Sequence, residues 1–273
     1  MKPLLFILCL CVFHPLLALG GALKPIGPYG ASAKQLDFEE LKINTYYPTH
    51  KETETPTLVD SPILTTQFPV LILIPDQDKN SKDYEELIIQ LVSNGYIVIA
   101  INNGLEGQPL QNLLRVRKAL EKEGSSLYEF GKYAQLNNVG ILGCANAGSF
   151  TATAAQDYPD FFSAGALIQA PKTYSIHQDS YEKTPFMQLL TTSNWDPTIA
   201  LPSNNYVIQL LNPNDHDEDQ ELQDYYVLQF FDMYLKGVIS NCLAYCLSVS
   251  KDSQLKCGEY KVQLRKLNTF SML

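Results

Sequence analysis

The sequence predicts an α/β protein whose central, mostly parallel sheet is flanked by helices. Three observations carry that expectation. Val70-Leu71-Ile72-Leu73-Ile74, Tyr96-Ile97-Val98-Ile99-Ala100-Ile101 and Val139-Gly140-Ile141-Leu142 are short, nearly uninterrupted apolar runs rich in β-branched residues, the pattern of strands buried on both faces. Stretches with apolar residues at helical spacing lie between them. Strands that alternate with helices need crossover connections, and crossovers leave neighbouring strands parallel.

The elements follow in order. Leu36 to Tyr47 is expected as one or two antiparallel edge strands, and the polar, proline-punctuated tract from Pro48 to Pro69 as an exposed loop. The run Val70–Ile74 stops at Pro75, which has no N–H to donate. Ser81-Lys82-Asp83 opens a helix over 84–92, with Glu85 and Glu86 in its first turn and Asn94-Gly95 as its end. The strand 96–101 ends at Asn102-Asn103-Gly104, and leucines and a valine at helical spacing mark a helix from Leu110 to Glu121. After Val139–Leu142, a helix over 150–156 is followed by strands at 165–169, 186–191 and 206–211. A long helix from Glu221 to Lys236 stops at Gly237.

The N-terminus reads as a leader. Met1-Lys2 precedes an apolar run to Leu19, and small residues follow at Ala18, Gly20, Gly21 and Ala22, the build of a secretory signal peptide. Residues 1–22 are therefore expected to be removed and 23–273 to form one α/β domain in a secreted or periplasmic protein with no later membrane span. The net charge of −9 argues against nucleic acid and against anionic membrane surfaces as partners. Cys144, Cys242, Cys246 and Cys257 outlast the leader. In an oxidising compartment Cys257 is expected to pair with Cys242 or Cys246, stapling the C-terminal segment. Three thiols without a nearby histidine make an incomplete zinc set. Asp215, Asp217 and Asp219 alternate as in a calcium loop, but Gln220 and Tyr226 stand where that loop needs glycine and glutamate. Gly143 and Gly148 have the outer spacing of a phosphate loop, yet Ser149 replaces its lysine. No metal and no cofactor is expected.

The most informative stretch is Val139-Gly140-Ile141-Leu142-Gly143-Cys144-Ala145-Asn146-Ala147-Gly148-Ser149. A nucleophile elbow is an apolar strand, a turn of the form G-x-S-x-G and a helix, built so that the serine hydroxyl stands exposed at the rim of the sheet. Here Gly143 holds the first glycine position, Ala145 replaces the serine, and Ala147 the second glycine. A methyl group cannot attack a carbonyl. Alanine tolerates positive φ poorly, so the turn is expected to relax without its serine. Cys144 and Ser149 are the alternative nucleophiles. Cys144 should point away from the elbow residue, and Ser149 should sit about a turn into the next helix.

With Gly27-Pro28-Tyr29-Gly30, Tyr46-Tyr47-Pro48-Thr49, Phe68–Pro75, Asn94–Val98, the elbow and Leu235-Lys236-Gly237 in that order, the chain resembles the α/β-hydrolase fold. In local sequence it resembles a secreted branch with cutinase-like polyester hydrolases, dienelactone hydrolases and platelet-activating-factor acetylhydrolases. The resemblance implies an acid at Asp196 and a histidine base at His216, in the chain order Ala145, Asp196, His216. The rival reading of His216 is a surface histidine in the acidic run Asn214–Asp219. It also implies oxyanion donors at the N–H groups of Gln77 and Asn146, with Asp76 in place of the branch's glycine. Trp195 would hold substrate. Two functions follow: a pseudo-hydrolase binding a lipid, ester-like or protein ligand, or a carboxylesterase acting through Cys144 or Ser149 with Asp196 and His216.

Overall fold

The computed structural model describes residues 27–51, 61–104, 106–170, 184–190, 205–210, 216–238, 254–257 and 260–265. Among the described residues ten strands form one sheet: β1 (Gly30–Phe38), β2 (Leu41–Thr49), β3 (Phe68–Ile74), β4 (Ile97–Ile101), β5 (Ala134–Cys144), β6 (Ala164–Ala170), β7 (Phe186–Leu190), β8 (Asn205–Leu210), β9 (Gln254–Cys257) and β10 (Tyr260–Arg265). Their spatial order is β1-β2-β4-β3-β5-β6-β7-β8-β10-β9. The six strands from β4 to β8 run parallel. β1 and β2 pair antiparallel at one edge and β10 and β9 at the other.

Every residue of β3 and β4 is buried, because helices cover both faces. Side chains alternate across a strand, and the core divides accordingly. Leu71, Leu73, Val98, Ala100, Leu142 and Cys144 pack with α1 (Glu85–Ser93) and α5 (His216–Leu235). Val70, Ile72, Ile74, Ile97, Ile99 and Ile141 pack on the other face with α2 (Pro109–Ala119), α3 (Tyr128–Gly131) and α4 (Gly148–Asp157). Each such aliphatic side chain contributes about 1.5–3 kcal/mol by leaving water, which makes the three layers one cooperative body.

Some boundaries differ from the expected ones for local reasons. A 3-10 turn over Ser81–Tyr84 precedes α1, and its cap is Asn80: Asn80 accepts from the Lys82 N–H at 2.9 Å while Asp83 accepts from the Asn80 N–H at 2.7 Å, a reciprocal capping box. Ser81 is instead buried, its Oγ accepting from Tyr46 and Asn44. Gly95, at φ +87°, ends α1 by turning its N–H back to Val92, a conformation glycine adopts without penalty. β5 starts five residues early, because Ala134 and Gln135 pair with Phe68 and Pro69 of β3 before a register shift that brings Val139 opposite Val70. The helix expected from Glu221 starts at His216, which places Asp217, Glu218 and Asp219 in its first turn, where the helix dipole favours acids. His216 thus opens a helix and does not sit in an acidic loop. The hairpin β9–β10 was not anticipated. Cys257 closes β9, whereas Cys242, Cys246 and the leader 1–22 lie outside the described residues. No helix among the described residues is long and apolar enough to cross a membrane.

Candidate functional site

The chain leaves β3 for β4 on one side and reaches β5 on the other. The switch point of an open parallel sheet is a crevice at the carboxyl ends of the two diverging strands, here β3 and β5. Asp76 follows β3 by two residues, and Ala145 follows β5 directly. Two segments that are 70 residues apart in sequence therefore meet at this one point.

Strand, turn and helix are all present at the elbow: β5 ends at Cys144, a 3-10 turn spans Ala145–Ala147, and α4 starts at Gly148. The turn has not relaxed. Ala145 sits at φ +44°, in the left-handed region, which costs an L-residue roughly 1–2 kcal/mol. The packing below explains why it persists. Gly143 lies so close to α4 that a Cβ there would collide with Oγ1 of Thr151 and approach its Cβ to 2.9 Å. Thr151 is itself buried and donates from Oγ1 to the Ala147 carbonyl at 2.7 Å. Strand and helix are thereby locked at a separation that a wider turn would not span.

The alternative nucleophiles separate sharply. Cys144 is fully buried against α1 and α5, and burial pushes its thiol well above the ordinary cysteine range. Since only the thiolate is nucleophilic, Cys144 behaves as a small core residue. Ser149 is exposed on the first turn of α4, and its carbonyl accepts from Thr153 Oγ1 at 2.9 Å. It stands four residues beyond the elbow position, on the helix and not on the turn.

The N–H groups of Gln77 and Asn146 converge, as a pair of oxyanion donors must. What they converge on is a side chain of the protein. Oδ1 of Asp76 accepts from the Gln77 N–H at 2.9 Å, from the Asn146 N–H at 3.3 Å and from Asn146 Nδ2 at 2.9 Å. The Asp76 carboxylate thus turns inward, toward the two N–H groups. Asp76 is half-buried, while Gln77 and Asn146 are exposed.

A second feature of the rim escaped the sequence reading. β6 pairs irregularly with β7 between Leu167 and Ala170, and Gln169 there adopts φ +52°. Its side chain accepts from Lys79 Nζ at 3.5 Å and donates to Gln220 Oε1 at 3.2 Å; Gln220 donates in turn to Asp224 Oδ1 at 2.6 Å. Asp224 is 1 % exposed, so this amide chain links the loop after β3 to a buried carboxylate on α5. Nothing in the local sequence marks it, because an acid in the run 215–224 reads as solvated surface.

His216 is the first residue of α5, six positions after the end of β8. Asp196 and Trp195 lie outside the described residues. Cavities also open away from this rim. One of about 310 Å³, lined by Tyr29, Phe68, Asn94, Gln135 and Lys236 among others, lies at the opposite, amino-terminal ends of β3, β4 and β5.

No family model and no curated protein sequence matches the chain. Among solved structures it is similar to a ferulic acid esterase from Streptomyces cinnamoneus, with 14 % identity and a TM-score of 0.63 over 82 % of this chain and 94 % of that one. At that identity the likeness speaks to fold alone: the mixed sheet with helices on both faces is an α/β-hydrolase fold.

Proposed function

We propose that this chain is a secreted pseudo-hydrolase, which keeps the hydrolase fold and uses its rim to bind a lipid, ester-like or protein ligand without turning it over. One observation carries the reading. The residue in the left-handed elbow conformation is Ala145, so the position built to expose a nucleophile exposes a methyl group. Serine- or cysteine-type acyl transfer requires a hydroxyl or thiol within reach of a base. Cys144 is buried as a neutral thiol, and Ser149 projects from α4 and not from the turn. The leader at 1–22, the acid role of Asp196 and the base role of His216 belong to this proposal as the resemblance suggests them.

The test is hydrolysis of a short-chain p-nitrophenyl ester by the purified protein without residues 1–22. The expected result is no turnover above that of a heat-denatured sample. Turnover by the wild type overturns the reading and makes the chain a carboxylesterase. Its loss in Ser149→Ala or in Cys144→Ala then identifies the nucleophile.

A further inference from the structure

Asp76 has no counterpart in the chemistry of ester hydrolysis, and it occupies the most chemically valuable point of the rim. A simpler account makes it a turn residue. Its carbonyl accepts from the Lys79 N–H at 3.0 Å and its carboxylate from its own successor, Gln77, as aspartates do in loops. That account covers only the local bonds. It does not cover the two bonds from Asn146, which come from the far side of the switch point and include a backbone N–H. Three N–H donors from two separate segments close around one oxygen, and the carboxylate supplies the charge that such a nest favours. Among the described residues no donor reaches its second oxygen, Oδ2.

We infer that Asp76 is a built-in occupant of the oxyanion hole, and that it decides which ligands the rim accepts. An acyl carbonyl or a free carboxylate is held in a hydrolase by the two backbone N–H groups. Here both are taken, and an incoming anion also meets a like charge. The rim presents an acceptor, Oδ2, where a hydrolase presents donors. A ligand must therefore bring a hydroxyl, an amide N–H or an ammonium group to this point; a carboxylate or an ester carbonyl oxygen is excluded from it, so that an ester-like ligand on the rim would have to place its carbonyl elsewhere. The inference rests on the proposed function in taking the elbow rim as the binding site. Its test reads binding, whereas the esterase assay reads turnover, so the two fail separately.

The experiment uses the same purified chain, labelled with ¹⁵N, and follows the amide signals of Gln77 and Asn146 as sodium acetate is added against sodium chloride of equal ionic strength. In the wild type neither amide is expected to shift. In Asp76→Ala both shift together and saturate along one binding curve, because the emptied nest takes the acetate oxygen. In Asp76→Asn neither shifts, because the amide oxygen still fills the nest without its charge. Unchanged signals from the β3 and β5 core show that each variant is folded. Acetate shifting the wild-type pair as it shifts the Asp76→Ala pair overturns the inference, since the hole would then be open. So does an Asp76→Ala protein, folded by its core signals, whose two amides ignore acetate.

Discussion

Replacing Ala145 by glycine should stabilise the protein, although it deletes a methyl group. Ala145 is held at φ +44°, and the left-handed region costs an L-residue about 1–2 kcal/mol that glycine does not incur. Against this, glycine makes the unfolded chain more disordered by about 0.5–1 kcal/mol. The difference leaves a gain between about 0 and 1.5 kcal/mol, with a central value of about 0.75 kcal/mol, or roughly 1–3 °C in Tm at that value for a chain of this size. Ala147, two residues on, is the control. It sits at φ −67° with its methyl group fully buried, so Ala147→Gly loses the same entropy and about 0.8 kcal/mol of burial. That sums to a destabilisation of about 1–2 kcal/mol. Urea unfolding of the three proteins, followed by far-UV circular dichroism at equal m-value, measures both. Opposite signs at 145 and 147 are the signature of a strained elbow. If both variants lose stability equally, the turn is not left-handed at 145 and the lock between Gly143 and Thr151 is not what holds it.

Two further outcomes follow from the packing and the buried ionisable groups. Gly143→Ala should destabilise by about 1–3 kcal/mol through overpacking, because the new Cβ meets Thr151; Thr151→Ala in the same chain should restore part of that loss in the same urea titration. Burial, with the neighbouring Asp232 charge, raises the phenol of Tyr96 well above its ordinary 10.0. The folded state thus keeps a proton that the unfolded chain releases above pH 10, so this group's contribution is full below that pH and is lost as pH rises. Tyr96→Phe, which also removes the 2.8 Å bond to Asp232, should flatten the fall of unfolding free energy above pH 10 by about 1.4 kcal/mol per pH unit. An unchanged slope would mean that Tyr96 ionises freely in the folded protein.

Much of the architecture was legible in the chain. The runs 70–74 and 97–101 announced buried parallel strands because helices on both faces demand apolar residues at every position. The early start of β5 was hidden by its polar outer half, and the α5 start by acids that resemble a loop but suit a helix N-terminus. The hairpin β9–β10 did carry a signal, since Tyr260, Val262 and Leu264 alternate with Lys261, Gln263 and Arg265, yet four- and six-residue strands are too short to stand out.

At the site the division is sharper. The sequence by itself determined that Ala145 follows Cys144 where a nucleophile elbow would carry serine, and the resemblance pointed to the N–H groups of Gln77 and Asn146. Composition and spacing can establish which atoms are available because those are properties of the chain. Only the tertiary structure decided that the turn keeps its left-handed Ala145, that Cys144 is sealed as a thiol, and that Asp76 fills the space between the two N–H groups. These depend on segments brought together across the switch point. Whether a carboxylate faces water or two convergent donors is fixed by that meeting of β3 and β5, which no local pattern encodes.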